Sequence, residues 1–234
     1  MAKEKFCTFF KIWWANLRPT ILLNIVYSAM TLLLLPSGLA AVGMANVAGN
    51  LARERYFFSF REFWSAIKKS WKQALVAGLI NAAFTAALVL VFWFYLSSSG
   101  VMFVFGLGCC LLSTVVFSFM NYYLWIQIAM FRLPLFSAYK NAFIFAFLNL
   151  KTNLLIGIVS MLCYALAAVV LLYVPYLVAV VVVAVLGTCL FPIFKQLLIQ
   201  YLIFPFLKAY MIDPYYAEHS DEDIRERSEL GIET

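Results

Sequence analysis

The sequence is poor in charge, and it is poorest in acids along its middle. Only 12% of its 234 residues are charged, whereas 65% are hydrophobic; ordinary soluble domains carry roughly twice that share of charge. Residues 63–212 contain no Asp or Glu, and the one histidine is His219. These shortages argue against a soluble fold and indicate a chain whose solvent is the lipid bilayer.

The same shortages exclude several kinds of chemistry. Without acids in the apolar stretches, there is no carboxylate pair for an intramembrane aspartyl protease. A single histidine in the tail makes neither an HExxH zinc motif nor a Ser-His-Asp triad. Proton-coupled carriers usually place Asp, Glu or His in their spans, and these residues are missing there too. We therefore expect no enzyme activity, no cofactor and no metal.

The charges that do occur are unevenly distributed. Residues 1–217 hold fifteen Lys and Arg against four acids, and the other seven acids lie in a tail at 218–234 that we expect to be cytoplasmic and disordered. A basic excess can indicate nucleic-acid binding. Here the cations stand beside apolar runs, where the positive-inside rule and anionic lipid headgroups explain them. The expected partner is the bilayer, and not nucleic acid.

Apolar runs occupy most of residues 1–217, which we interpret as one transmembrane domain. The expected fold class is all-α: six spans forming three helical hairpins, each preceded by a cytoplasmic interfacial amphipathic helix. The runs are 20–35, 37–52, 74–96, 101–131, 153–173 and 176–209. A span needs about 20 helical residues, so the first two runs are marginal. The second run is rich in small residues and could instead be re-entrant.

Basic residues indicate the direction of the first two crossings. One cluster precedes the run 20–35 and another follows residue 52. Because the positive-inside rule places both clusters in the cytoplasm, the chain must leave and return between them, with a tight outer turn at 36–38. We expect a multi-pass protein of the bacterial cytoplasmic membrane, with its amino and carboxyl termini cytoplasmic.

The runs 101–131 and 176–209 are longer than a bilayer requires, and we expect both to extend into the cytoplasm as long helices. Their polar residues would then lie at or beyond the inner interface. Lys195 could face an inward cavity or reach the headgroups, and the amides could line a pathway or bond between helices. The candidate solute or partner contacts are Lys195, Gln196, Gln200, Asn121 and Gln127.

Three segments align without gaps in a register set by Arg18, Lys72 and Lys151. They read NLRPTILLNIV at 16–26, SWKQALVAGLI at 70–80 and NLKTNLLIGIV at 149–159. Each cation would open an outward helix at the inner interface, and an aromatic amphipathic segment precedes each. This pattern predicts three parallel repeats, although the shared demands of membrane entry could also produce such short matches.

The amphipathic pattern is clearest in the middle unit. Between Phe60 and Trp71 the apolar residues recur at helical spacing, while basic residues take the other face, as in a helix that lies in the plane of the interface. With the repeat cations included, the residues expected to contact lipid headgroups or a partner are Arg18, Arg61, Lys68, Lys69, Trp71, Lys72 and Lys151.

Residues 36–75 resemble the YesL family of bacterial membrane proteins, and the match extends over most of the chain. The resemblance rests on the small-residue second run leading into Leu51-Ala52-Arg53-Glu54, on the Phe-rich basic helix that follows, and on the later Phe131-Arg132-Leu133-Pro134. The family has no assigned biochemical activity. Its genes typically neighbour those for carbohydrate ABC importers and polysaccharide-degrading enzymes, which implies a role in sugar uptake.

These observations favour a non-enzymatic accessory or scaffolding protein that works with a carbohydrate ABC importer. The amphipathic helices, the lack of coupling chemistry and the acidic tail motivate this hypothesis. The alternative is a facilitator-type permease or solute-binding membrane protein for a sugar or oligosaccharide, with a pathway between the hairpins near Lys195. A third hypothesis, an intramembrane enzyme acting on lipid or lipid-linked sugar, has no motif in its favour.

Overall fold

The protein is built from helices. Its structure, a computed structural model, describes residues 2–33, 36–54, 59–131 and 133–214, and over these residues it contains no strand. The acidic tail lies outside the described residues, as do Arg55 and Arg132. The helices are α1 (Ala2–Ala15), α2 (Leu17–Leu32), α3 (Ser37–Ala52), α4 (Ser59–Leu96), α5 (Gly100–Met130), α6 (Leu135–Leu148), α7 (Leu150–Tyr173), α8 (Tyr176–Cys189) and α9 (Phe191–Leu207), the last continued by a π-helical turn at Lys208–Ile212.

Within the described ranges, three helices are long and apolar enough to cross a membrane: α4, α5 and α7. A fourth crossing results if α8 and α9 with its π-helical turn, which meet at a bend of 42°, are counted together. Helices α2 and α3 have 16 residues each, below the roughly 20 that cross a bilayer unaided. The protein is therefore all-helical with three or four helices of spanning length, and the six-span arrangement stays a prediction.

The run 176–209 is not the single long helix that its length suggested. Helix α8 ends at Cys189 and α9 begins at Phe191, with Leu190 between them at φ −118° and ψ −43°. Pro192 stands at the start of α9. Because proline has no N–H and its ring clashes with the preceding turn, an uninterrupted helix through this point is disfavoured. By contrast, α5 covers almost all of the run 101–131 as one helix.

Helix α3 lies at the centre of the bundle. It packs against α2, α4, α5 and α9, and nearly all of its residues from Gly38 to Leu51 are buried. Half of its residues are Gly or Ala, so neighbouring backbones can approach from several sides. Small residues at helix contacts are the usual means of close packing in membranes, where lipid tails remove most of the hydrophobic drive for association.

Two glycines of α3 mark the closest approaches to α4. A Cβ placed on Gly38 would overlap the Ala74 carbonyl oxygen and lie 2.8 Å from the Gly78 Cα. A Cβ placed on Gly43 would lie 2.6 Å from the Phe63 ring. At Gly38 the opposing atoms belong to backbone and cannot turn aside, so the crossing of α3 and α4 requires glycine there.

Two groups of buried apolar side chains surround α3. The larger joins α5 and α6 to α4, α7 and α9 and includes Phe119, Tyr123 and Phe145. The smaller joins α1 and α2 to α9 and the start of α4 and includes Phe9, Leu23 and Phe63. Both clusters contain residues of α3, α4 and α9, which makes these three helices the elements shared by both halves of the core.

The carboxyl ends of α4 and α7 and the amino ends of α5 and α8 are exposed on most sides. Around the turn at Ser97–Ser99 and around Val174–Pro175, large apolar side chains are widely accessible, among them Trp93 at 72%, Val101 at 84% and Leu172 at 78%. Large apolar surfaces of this kind are rare on soluble monomers. They fit helices whose outer surfaces contact lipid, as expected for a membrane protein.

We predict that Gly38→Ala lowers the free energy of unfolding by roughly 1–3 kcal/mol, because the added methyl group overpacks a backbone contact. Gly187→Ala in α8 is the matched control, since nothing lies within 4 Å of the position its Cβ would take. Its effect should be neutral or stabilising by up to about 1 kcal/mol. Unfolding of the detergent-purified protein, followed by circular dichroism, measures both; equal effects would contradict this account of α3.

Candidate functional site

The break between α8 and α9 is closed by one side chain of α2. In a continuous helix the Ile193 N–H would donate to the Cys189 carbonyl. Here the Asn24 Nδ2 donates to the Cys189 carbonyl at 2.6 Å, and the Ile193 N–H donates to the Asn24 Oδ1 at 3.1 Å. The fully buried Asn24 amide therefore replaces the missing backbone hydrogen bond. Side-chain insertion of this kind is a recognised cause of helix bends.

A second residue of α2, one turn later, approaches the same break. Pro192 has no N–H to donate to the Thr188 carbonyl, and the Ser28 Oγ lies 3.4 Å from that carbonyl oxygen. Unpaired backbone groups are costly in a bilayer, so a broken helix persists where neighbouring side chains satisfy it. Asn24 and Ser28, spaced i and i+4 on one face of α2, serve this purpose.

An amide network joins α4, α5 and α6. The Asn81 Nδ2 donates to the Asn121 Oδ1 at 2.6 Å, and the Asn121 Nδ2 donates to the Phe117 carbonyl at 2.9 Å. The Tyr139 hydroxyl lies 3.1 Å from the Asn81 Oδ1 and 3.2 Å from the Ala77 carbonyl. Burial raises the pKa of Tyr139 to about 12, so the phenol is a neutral donor at physiological pH. Asn121 thus bonds between helices.

A buried pair that the sequence analysis did not single out joins α5 to α7. The Tyr123 hydroxyl donates to the Asn153 Oδ1 at 2.8 Å, and the Asn153 Nδ2 donates to the Ala146 carbonyl at 2.9 Å. Both side chains are fully buried. Asn153 lies two residues after Lys151, at a position of the repeat that is buried in all three units. This position is the sequence feature that could have predicted its burial.

The carboxyl end of α3 carries an arginine in a polar environment. The Arg53 Nη2 donates to the Asn50 Oδ1 at 3.0 Å, its Nη1 lies 3.9 Å from the Met130 Sδ, and its guanidinium stands 5.1 Å from the centre of the Phe204 ring. The buried Gln200 amide lies alongside: its Nε2 donates to the Ala45 carbonyl at 2.8 Å. A Cβ on Gly49 would lie 3.3 Å from this Nε2 and 3.4 Å from the Arg53 Nη2.

The five candidate contact residues take different positions. Gln200 bonds to α3 and Asn121 bonds to α4, as described above. Gln127 is fully buried in α5, and neither atom of its side-chain amide has a partner among the described residues; the same holds for the Gln200 Oε1. Lys195 and Gln196 are half-buried on α9. The structure thus brings Gln200 beside Arg53, a residue that the sequence analysis did not include among the contacts.

The predicted interfacial residues are all exposed, and several line one groove. Helix α4 has a kink at Ser70, which has the non-helical angles φ −121° and ψ 18°. A groove of about 390 Å³ opens between this kink and the end of α5. Three lysines line it, Lys68, Lys69 and Lys72, together with Trp71. Arg18, Arg61 and Lys151 are exposed elsewhere on the surface.

Metal ligands do not gather in the described part of the chain: no three side chains of His, Cys, Asp or Glu come together there. Comparison with known proteins adds no family to this geometry, since no protein-family model, no curated protein and no solved structure matches the chain.

We predict that Asn24→Leu lowers the free energy of unfolding by about 2 kcal/mol, because it leaves the Cys189 carbonyl and the Ile193 N–H without their partner. Pro192→Ala returns an N–H that allows the helix to close its own ladder, so the double variant should recover at least half of the loss. Asn46→Leu, which removes a weaker amide contact to the Glu62 carbonyl at 3.3 Å, is the control and should cost under about 1 kcal/mol. Strictly additive effects of Asn24→Leu and Pro192→Ala in thermal unfolding would contradict this role of Asn24.

Proposed function

We propose that the chain is a non-catalytic scaffold embedded in a bacterial cytoplasmic membrane, where it assists a partner that carries out transport. The observation that supports this most directly is the position of α3. A carrier of this size needs a pathway between its helices, whereas here the small-residue helix fills the centre of the bundle and its residues are buried. A bundle whose centre is filled by a helix fits a scaffold, which needs no pathway for a solute.

The three repeated units are part of this proposal, and the contact of Gly38 with Ala74 and Gly78, a few residues after Lys72, favours a re-entrant α3 over a full second crossing. In the alignment register of Arg18, Lys72 and Lys151, the residues two positions later are Thr20, Ala74 and Asn153, and all three are buried. The residues five positions later, Leu23, Ala77 and Ile156, are buried as well. Equivalent positions therefore face the interior in all three units, which supports descent from one repeated hairpin.

The orientation follows from the basic residues. Arg18 and Lys151 are the second residues of α2 and α7, Lys72 is the second residue after the kink of α4, and all three are exposed. Cations in these positions can extend to the headgroups while their helices enter the bilayer. With the basic clusters in the cytoplasm, the turns at Ser97–Ser99 and Val174–Pro175 would lie outside.

The partner that we propose is a carbohydrate ABC importer. The support is the resemblance of residues 36–75 to the YesL family, whose genes neighbour those of such importers. Amphipathic segments on the cytoplasmic side, such as the one that begins at Ser59, offer a surface on which a membrane complex could dock, and the same segments also serve to anchor the chain in lipid.

A permease is the second candidate, and one observation favours it. Buried amide atoms without a partner are uncommon and require an explanation. Gln127 and the Gln200 Oε1 are of this kind, and the Arg53 guanidinium adjoins the Gln200 amide. Such a set could hold hydroxyl groups of a sugar in a state of the protein in which α9 moves away from α3.

We predict that the turn after α4 and the amphipathic segment before its kink report from opposite sides of the membrane. In a chain whose five cysteines are replaced, Ser97→Cys should react with an impermeant maleimide added to intact spheroplasts. Ser65→Cys should react only after the membrane is opened. Both serines are exposed, so access depends on the side of the membrane. Reaction of both cysteines from the same side would contradict the proposed topology.

We predict that the full-length protein, tagged and purified from its native host in mild detergent, carries components of a carbohydrate ABC importer with it. Arg61→Glu, which reverses a charge on the amphipathic segment, should weaken this association at least severalfold, while Gly187→Ala should leave it unchanged. Failure to recover any importer component would contradict the scaffold proposal. Uptake of an oligosaccharide by liposomes that contain only this protein, lost in Lys195→Ala, would establish the permease instead.

A further inference from the structure

The groove at the kink of α4 is large enough to hold a small ligand. Its volume of about 390 Å³ lies within the range of small-molecule sites in proteins, roughly 300–1,000 Å³. One wall comes from Lys68 to Gln73 of α4, and the other from Ile128 to Phe131 at the end of α5. The kinked residue Ser70 is itself part of the first wall.

The charge of the groove is strongly positive. Lys68, Lys69 and Lys72 line it, and none of the residues that line it is acidic. A further cation stands behind one wall, since the Arg53 Nη1 lies 3.9 Å from the Sδ of Met130. Three lysines around one opening, with no acid among the lining residues, favour an anion over a neutral molecule.

The helix end that faces the groove is partly neutralised. The last carbonyl groups of a helix are unpaired and carry partial negative charge, which would repel an anion. Here the Ser70 Oγ donates to the Ile128 carbonyl at 3.2 Å, and the Gln73 Nε2 donates to the Leu133 carbonyl at 3.0 Å. The Phe131 N–H donates to the Gln127 carbonyl at 2.8 Å. These bonds engage two carbonyls at the end of α5, Gln127 and Ile128, and the Leu133 carbonyl beyond it, which would otherwise repel an anion.

The groove also has an apolar side. Trp71 is half exposed and its ring lies 5.6 Å from the Lys72 Nζ. Met130 and Phe131 form the opposite edge. An aromatic ring beside lysines is the combination that membrane proteins place at the level of the lipid headgroups, where the ring contacts the glycerol and upper acyl region.

From this combination we infer that the groove is a discrete binding site for the phosphate group of an anionic phospholipid of the cytoplasmic leaflet. The lysines bind the phosphate, and the Trp71 ring and Met130 contact the apolar part of the same molecule. The inference rests on the proposed placement of the kink at the cytoplasmic interface. A free phosphate ion would use the lysines alone, and the apolar edge is the reason for assigning a lipid.

Binding of a short-chain phosphatidylglycerol to the full-length protein in detergent, followed by native mass spectrometry, tests the site. Phosphatidylcholine of the same chain length and inorganic phosphate are the parallel ligands. The test variant is Lys68→Gln/Lys69→Gln/Lys72→Gln, and the matched control is Lys11→Gln/Lys140→Gln/Lys208→Gln, which removes three lysines that do not line the groove and are not among the expected headgroup contacts. A variant with arginine at 68, 69 and 72 keeps the charge and reveals any folding defect of the glutamine variant.

Each groove lysine should contribute about fivefold to the affinity for the anionic lipid, so the groove variant should lose on the order of a hundredfold. The control should stay within about twofold, because distant charges are screened, and the arginine variant should retain binding. Equal loss in both glutamine variants, or equal binding of phosphatidylcholine, would overturn the site. Competition by inorganic phosphate as strong as that by the lipid would overturn the lipid assignment. Recovery of an importer does not enter this measurement, so the two proposals fail independently.

Discussion

The approach of helix backbones to α3 is the contact on which the rest of the bundle depends. Within a bilayer, apolar side chains gain little by leaving lipid, so helices associate through close van der Waals packing and through hydrogen bonds. A helix in which half of the residues are Gly or Ala allows α2, α4, α5 and α9 to reach it at once, and Gly38 allows backbone to touch backbone. The arrangement of these surrounding helices depends on their contacts with α3.

Polar residues in this core act mainly on the backbone of neighbouring helices. Asn24 replaces a hydrogen bond inside the break of α8 and α9, Ser70 and Gln73 engage carbonyls at and beyond the end of α5, and Gln200 bonds to the Ala45 carbonyl. Because lipid offers no hydrogen bonds, irregular backbone requires such partners. This use of amides and hydroxyls supports a structural role for most of them, and Gln127 is the exception that keeps a binding role open.

The basic residues and the packed core lie towards one end of the long helices, and bare apolar surface lies towards the other. Helices α2, α4 and α9, which carry Arg18, Lys72 and Lys195, pack against α3, and the helix ends near the turns at Ser97–Ser99 and Val174–Pro175 present bare apolar surface. The basic groove lies at the packed end, where α4 changes direction at Ser70. The surface that carries the groove and the charged side chains is therefore the basic one. We expect any lipid or protein partner to bind there.

Composition and charge by themselves determined that the chain is all-helical and belongs in a membrane, because 65% apolar residues and a middle without acids leave no alternative solvent. Some limits of the helices were also predictable, since Pro36 and Pro134 precede helices and Arg18 and Lys151 stand at helix starts, whereas Lys72 lies inside the kinked α4. Tertiary structure decided the rest. Pro192 could have indicated the break in the run 176–209. The Asn24 amide that closes this break is 168 residues away from Pro192 in the chain, and only tertiary packing brings the two together. The pairing of Tyr123 with Asn153, the position of Arg53 beside Gln200 and the groove at Ser70 likewise join residues from separate helices, and local sequence patterns do not specify such contacts.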